Sequence, residues 1–136
     1  METAGPEGNF RILVVDDEPP LLNMMRVYLQ RLGYSITTCG STAQAAQLAR
    51  AEPEAFAVVV IDASMSGMSM QELAFELLRA NRSLRVLAAS GYPVDMSALE
   101  TAAPGRVGFL HKPFTPEMLA ATVRRMLAAK TEKEEV

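Results

Sequence analysis

The feature that most constrains the fold is the apolar run at 56–61 (FAVVVI), which contains no polar residue. A strand without alternation of polar and apolar residues is buried on both faces, which is typical of the interior of a parallel sheet. Neighbouring parallel strands need crossover connections, and these are usually helices. The run therefore predicts a parallel sheet that is covered by helices on both faces.

Four more short apolar runs alternate with segments of helical periodicity. Together with 56–61, the strand candidates are 11–15, 34–39, 84–89 and 107–111. The helix candidates begin near Pro19, Ser41, Ser69, Val94 and Thr115. Ser41 with Gln44, and Ser69 with Glu72, have the spacing of capping boxes, and Gly33 stands where the first helix is expected to end. The alternation predicts an α/β fold with a doubly wound, five-stranded parallel sheet.

Length and composition favour one domain in a reducing compartment. The chain has 136 residues, of which 49% are apolar, and this is enough for one core. Its net charge of −3 argues against a nucleic-acid-binding surface over the whole domain, and Cys39 is its only cysteine. No secretion signal or membrane-spanning run is visible. We expect a cytoplasmic domain over 10–130, a disordered tail at 1–9 and a charged tail at 131–136.

Polar residues collect where the predicted strands end. Asp16 and Asp17 follow the first strand, Asp62 the third, Ser90 the fourth and Lys112 the fifth. The carboxyl ends of parallel strands meet at one edge of a sheet, which is where such folds bind ligands. Clustered carboxylates repel one another, and Mg²⁺ relieves that repulsion. A lysine and a hydroxyl are suited to holding phosphate oxygens, so the set predicts phosphoryl transfer to a carboxylate.

Four segments carry a resemblance to a known family. ILVVDDE, VVVIDASMSGM, LAASGY and GFLHKPF resemble the corresponding segments of receiver domains in bacterial response regulators, over about 11–127. The resemblance implies a flavodoxin-like (βα)5 fold with strand order 2-1-3-4-5, as in chemotaxis receivers. It also implies a two-component phosphorelay protein rather than a dedicated enzyme.

The resemblance assigns the acceptor and the metal ligands. Asp62 would accept the phosphoryl group. Asp17 would bind Mg²⁺ directly, Asp16 mostly through water, and the carbonyl oxygen of Ser64 would complete the protein ligands together with Asp62. In this family two positions in the following loop are usually Pro and Gly, where this chain has Ser66 and Met70. These departures remove no chemical group, but they put the rigidity of that loop in doubt.

The resemblance also assigns the groups that respond to the phosphoryl group. Lys112 would pair with it, and the peptide bond from Lys112 to Pro113 would be cis. Ser90 would be the switch hydroxyl, and Phe109 would change position with Ser90. Ser64 and Tyr92 would border the path of the hydrolytic water. Neither offers a general base, so we expect slow self-dephosphorylation. Alternatively, Tyr92 points outward and contacts only a partner.

Two other functions are compatible with parts of the pattern. An aspartate-nucleophile phosphohydrolase would share the metal and the nucleophile, but it usually carries a second acid at the position of Ser64 and a cap domain. A degenerate receiver would bind partners without phosphorylation, although all acceptor-site residues are present here. Taken alone, the run Asp16-Asp17-Glu18 could be a charge cluster at a helix N-terminus.

The expected partners follow from the resemblance. A histidine kinase or a phosphotransfer protein would supply the phosphoryl group, and an unknown downstream protein would read the modified surface. That surface would be formed by the fourth helix, the fifth strand and the fifth helix, and a homodimer could form through it. We expect no contact with nucleic acid or membrane through this domain. The sequence does not distinguish a stand-alone protein from a piece of a hybrid kinase.

Overall fold

The computed structural model describes residues 10–128, and the tails predicted at 1–9 and 131–136 lie outside them. Strands and helices alternate along this part of the chain, as predicted. The elements are β1 (Arg11–Val15), α1 (Pro19–Arg31), β2 (Ser35–Cys39), α2 (Thr42–Ala51), β3 (Val58–Asp62), α3 (Met70–Ala80), β4 (Arg85–Ser90), α4 (Ser97–Ala102), β5 (Val107–His111) and α5 (Pro116–Ala128). None of these helices is long and apolar enough to cross a bilayer.

The strands form one parallel sheet in the order β2-β1-β3-β4-β5, which confirms the predicted order. Every residue of β3 is buried, as its uninterrupted apolar sequence requires in the middle of a sheet. In the register, Val15 is paired with Ile61. The residues that follow these two positions, Asp16 and Asp62, therefore reach the same level at the carboxyl edge.

Each face of the sheet is covered by its own apolar layer, because successive strand residues point to opposite faces. One layer joins Leu13, Val59 and Ile61 to α2, α3 and α4. The other joins Ile12, Val14 and Val60 to α1 and α5. This double covering makes the sheet rigid, so the positions at which the strands end are fixed relative to one another.

Helix termini follow the predicted chemistry at three places. Ser69 and Glu72 form a complete capping box at the start of α3, and Ser41 Oγ accepts a hydrogen bond from the Gln44 N–H at the start of α2. Gly33, just after α1, has φ 104°, a left-handed conformation that favours glycine. The helix boundaries at these sites are therefore encoded locally.

The fourth helix is shorter than predicted. The sequence predicts a helix over 94–103, whereas α4 spans Ser97–Ala102. Asp95 Oδ1 accepts a hydrogen bond from the Ser97 N–H (2.9 Å), and the Asp95 carbonyl accepts one from Gln71 Nε2 (3.1 Å). Side-chain-to-backbone bonds of this kind compete with helical bonds, so the helix begins only at Ser97.

A buried arginine secures the end of the sheet opposite the acidic cluster. Arg106, which is 5% exposed, precedes β5. Its guanidinium donates to the carbonyl oxygens of Leu84 (2.9 Å), Leu78 (2.9 Å) and Asn81. Buried carbonyl groups need such donors, so Arg106 ties the end of α3 to the start of β4.

We expect Arg106→Ala to lower the free energy of unfolding by about 3 kcal/mol, because it leaves buried carbonyl oxygens without donors and opens a cavity. Arg82→Ala is the matched control, since Arg82 is exposed near the same end of α3, and it should change stability by no more than about 0.5 kcal/mol. Urea unfolding measures both values. Equal effects of the two substitutions would contradict the role of Arg106.

Candidate functional site

The carboxyl edge of the sheet brings three aspartates together. Asp62 is the last residue of β3 and is 3% exposed, whereas Asp16 directly follows β1 and is 1% exposed. Asp17 is exposed beside them. Each of the three offers a carboxylate oxygen, and these oxygens lie within 4.8 Å of one another. The sheet register thus produces the predicted acidic cluster from residues far apart in sequence.

Lys112 lies between the acids and carries the opposite charge. It follows β5, and its Nζ lies 3.2 Å from Asp16 Oδ2, 3.4 Å from Asp62 Oδ1 and 3.5 Å from Glu18 Oε1. The Lys112–Pro113 peptide is cis, as the resemblance implies. The Lys112 side chain is 17% exposed and those of Asp16 and Asp62 are 2% exposed, so these two contacts are weakly screened, whereas the Glu18 side chain is 63% exposed.

The pKa values of Lys112 and Asp16 reflect this crowding. Burial acts to lower the pKa of Lys112, but attraction to Asp16 and Asp62 outweighs it, so the pKa is raised and the ammonium is retained. Burial raises the pKa of Asp16, and the charge of Asp62 acts in the same direction. The Glu18 N–H, which donates to Asp16 Oδ1 at 2.9 Å, and the Lys112 charge partly oppose this rise. The charge of the Asp16 carboxylate is therefore incompletely compensated.

The Oδ1 atom of Asp62 has several polar contacts. Oδ1 accepts hydrogen bonds from the Ser64 N–H (3.1 Å) and the Ser64 hydroxyl (2.9 Å), and it also lies near Lys112 Nζ. These contacts orient the carboxylate and place Ser64 directly beside the acids. The hydroxyl bond from Ser64 to Asp62 was not predicted, and the part of the Ser64 carbonyl oxygen as a metal ligand stays a prediction.

The predicted switch residues lie on the neighbouring strands. Ser90 ends β4 and is 3% exposed; its Oγ accepts a hydrogen bond from the Tyr92 N–H (3.0 Å), and its carbonyl accepts one from the Lys112 N–H (2.8 Å). Phe109 is half-buried on β5 and packs against the apolar layer between the sheet and helices α2, α3 and α4. The Tyr92 side chain is 74% exposed, which favours the alternative that it contacts a partner.

The donor set suits a hard divalent cation. The three aspartates supply only oxygen ligands, as Mg²⁺ prefers, and they outnumber the single ammonium placed among them. Asp17 is exposed, which leaves one side of the cluster open to water. An acidic pocket that is compatible with a divalent metal is thus present.

Comparison with known proteins decides the family. The sequence profile described as "Response regulator receiver domain" matches residues 12–124. The chain belongs to this family. Receiver domains act in two-component systems, and acceptance of a phosphoryl group is standard for them. The phosphohydrolase interpretation receives no support from this match.

Receivers from several proteins are similar to this one. It is 31% identical to sensor kinase CckA of Brucella abortus over 120 residues, which are 88% of this chain and 13% of that protein. It is 32% identical to the probable transcriptional regulatory protein TcrX of Mycobacterium tuberculosis over 117 residues, which are 85% of this chain and 49% of that one. The chain therefore spans half or less of the length of these relatives.

A solved receiver structure shows the same architecture. The chemotaxis response regulator CheY4 of Vibrio cholerae superposes with a TM-score of 0.73 at 29% identity, covering 87% of this chain and 98% of that chain.

The two departures of this receiver from the family pattern follow Asp62 in the sequence. Ser66 is exposed and precedes Gly67, which has φ 85°, and Met70 begins α3 with its side chain buried in the core.

Sequence reasoning missed one residue of the receiver site. Glu18 was assigned only to a charge cluster, yet it contacts Lys112. Its position immediately after the aspartate pair was the available signal. The partner of its side chain became visible only when β5 was placed in space, because Lys112 is distant in sequence.

The raised pKa of Asp16 gives a stability difference that depends on pH. Because the pKa of Asp16 is higher in the folded protein than its ordinary value of 3.8, protonation of Asp16 favours the folded state. This contribution to stability is complete below pH 3.8 and is lost as pH rises through the raised pKa of the folded state. In the absence of metal, Asp16→Asn should therefore become more stable than wild type as pH rises above the ordinary pKa of 3.8. Urea unfolding between about pH 3.5 and 7.5 measures the difference.

Asp95→Asn is the control of opposite sign. The pKa of Asp95 is lowered by hydrogen bonds from Ser97, so its carboxylate stabilises the fold above the ordinary pKa and that contribution is lost in acid. Asp95→Asn should be less stable than wild type at pH 7. An Asp16→Asn protein that is less stable than wild type at pH 7 would contradict the account of the cluster.

Proposed function

We propose that Asp62 of this receiver accepts a phosphoryl group in a Mg²⁺-dependent reaction and that the modification changes a protein-interaction surface. The observation that carries the proposal is the arrangement of Asp62 at the end of β3, beside Asp16 and Asp17, with Lys112 Nζ at 3.4 Å from Asp62 Oδ1. A carboxylate nucleophile, metal ligands and a cation for the phosphoryl oxygens are the groups that this reaction needs.

The reaction requires one displacement at phosphorus. An oxygen of Asp62 attacks the phosphorus of the donor, the bond from phosphorus to the leaving oxygen breaks, and the leaving group departs with that electron pair. An acyl phosphate forms on Asp62. Mg²⁺, held by Asp16, Asp17, Asp62 and the Ser64 carbonyl, would neutralise charge on the phosphoryl oxygens. Lys112 and Ser90 hold those oxygens in place.

The switch follows from the added charge. A phosphoryl group brings close to two negative charges next to Lys112 and Ser90. The Ser90 hydroxyl, which accepts from the Tyr92 N–H in the unmodified state, turns toward the phosphoryl group and donates to it. Phe109 moves into the space that Ser90 leaves. The surface formed by α4, β5 and α5 then differs between the two states.

Partners are proposed from the family and from exposed groups. A histidine kinase or phosphotransfer protein supplies the phosphoryl group, since a similar receiver occurs within sensor kinase CckA of Brucella abortus. A downstream protein, or a second copy of this chain, binds the surface of α4, β5 and α5, which includes the 46%-exposed Met118. We place these events in the cytoplasm, and no nucleic acid or membrane contact by the domain is part of the proposal.

The domain acts as a signalling component, and hydrolysis of its own phosphoryl group is slow. Ser64 borders the approach of water in our assignment, and its side chain offers no general base. The exposed Tyr92 side chain, which favours a partner contact, offers no general base either. Residue 64 is a serine rather than an aspartate or glutamate, so this position carries no acid to protonate a leaving group. These features favour a receiver that keeps its phosphoryl group for a long time over a phosphohydrolase that releases it quickly.

Phosphorylation can be measured directly by intact mass. Incubation with acetyl phosphate and Mg²⁺ should add one phosphoryl group to the wild-type protein, and chelation of Mg²⁺ should prevent it. Asp62→Asn should abolish the addition, whereas Asp95→Asn, which changes an exposed aspartate outside the cluster, should retain it. Modification that persists in Asp62→Asn would show that Asp62 is not the acceptor.

A further inference from the structure

Glu18 stands at the N-terminus of α1 without serving as a side-chain cap. It is the N-cap residue of α1, and its side chain makes no capping hydrogen bond. Pro19 and Pro20 occupy the first turn and have no N–H groups, which removes two of the donors that a cap would satisfy. The local chemistry of the helix therefore does not account for the orientation of the Glu18 carboxylate.

The Glu18 carboxylate instead faces the ammonium of the site. Glu18 Oε1 lies 3.5 Å from Lys112 Nζ, on the outer side of the cluster, where the Glu18 side chain is 63% exposed. Lys112 also contacts the buried Asp16 and Asp62. The ammonium donates a hydrogen bond to Asp16 Oδ2 (3.2 Å), while the contacts with Asp62 and Glu18 are ion pairs at 3.4 and 3.5 Å.

We propose that Glu18 is a positioning residue that restrains Lys112 in the unmodified receiver and thereby slows phosphoryl acceptance. The inference rests on the proposed function, because it concerns the displacement in which an Asp62 oxygen bonds to phosphorus while the donor's leaving oxygen departs with its electron pair. Lys112 must turn from its carboxylate partners toward the phosphoryl oxygens during this step.

Two electrostatic effects of Glu18 act in the same direction. Its charge attracts Lys112 and competes with the incoming phosphoryl oxygens for that ammonium. It also adds to the negative charge that an anionic donor meets at the open side of the site. Both effects fall as salt increases, because the Glu18 side chain is largely exposed.

The test compares rates of phosphorylation by acetyl phosphate at low donor concentration with saturating Mg²⁺. Glu18→Gln removes the charge and should be modified about two- to fivefold faster than wild type, the range expected for an exposed ion pair. Glu18→Asp keeps the charge and should stay closer to wild type. Glu54→Gln controls for net charge, since Glu54 is exposed beyond α2, and it should leave the rate unchanged.

A second readout separates positioning from simple repulsion of the donor. The chain has three lysines, Lys112, Lys130 and Lys133, and the side-chain signal that disappears in Lys112→Met assigns the Lys112 ammonium by NMR. In the absence of donor, Glu18→Gln should shift the Lys112 Nζ resonance, and Glu54→Gln should not. The urea unfolding midpoints of the three variants should match that of wild type.

The possible failures are distinguishable. If wild type is not phosphorylated under any condition, the proposed function fails. If wild type is phosphorylated but Glu18→Gln reacts at the wild-type rate, or leaves the Lys112 resonance unchanged, the positioning role of Glu18 is overturned. A rate increase that stays constant up to about 1 M salt would also overturn it, since a pair this exposed is screened at that ionic strength.

Discussion

The structure depends on keeping negative charge at the carboxyl edge of a rigid sheet. Asp16 and Asp62 are almost fully buried there, and burial of a carboxylate is unfavourable unless an opposite charge or hydrogen bonds compensate it. Lys112 supplies the opposite charge, while backbone N–H groups of Glu18 and Ser64 supply hydrogen bonds. The compensation is partial, and the excess negative charge is what suits this edge to a divalent cation.

The rest of the fold holds these groups at fixed separations. Val15 is paired with Ile61, so the register of β1 and β3 determines where Asp16 and Asp62 meet. Apolar layers on both faces prevent the strands from shifting, since a change of register would reverse the faces of their side chains. At the opposite edge, Arg106 satisfies carbonyl groups and connects α3 to β4. Core packing is thus the means by which the acidic cluster keeps its geometry.

Much of this arrangement could be predicted from the sequence, because it follows from local patterns. The unbroken apolar run at 56–61 predicts a buried parallel strand, and strand-end polar residues predict the acidic edge. Contacts across the sheet could not be predicted from spacing. The pairing of Glu18 with Lys112 and the carbonyl bonds of Arg106 depend on elements that meet only after folding. The predicted start of α4 was wrong because the Asp95 side chain accepts a hydrogen bond from the Ser97 N–H, which apolar periodicity does not reveal.

The affinity of the site for Mg²⁺ in Lys112→Met tests the central claim most directly. If Lys112 compensates the same carboxylates that would bind the metal, its removal should strengthen Mg²⁺ binding, by about tenfold for a difference of about 1.4 kcal/mol. Isothermal titration calorimetry near pH 7.5 measures the dissociation constant, and Arg82→Met controls for net charge at an exposed site. Binding by Lys112→Met that is equal to or weaker than wild type would contradict the claim that Lys112 and the metal serve the same excess charge.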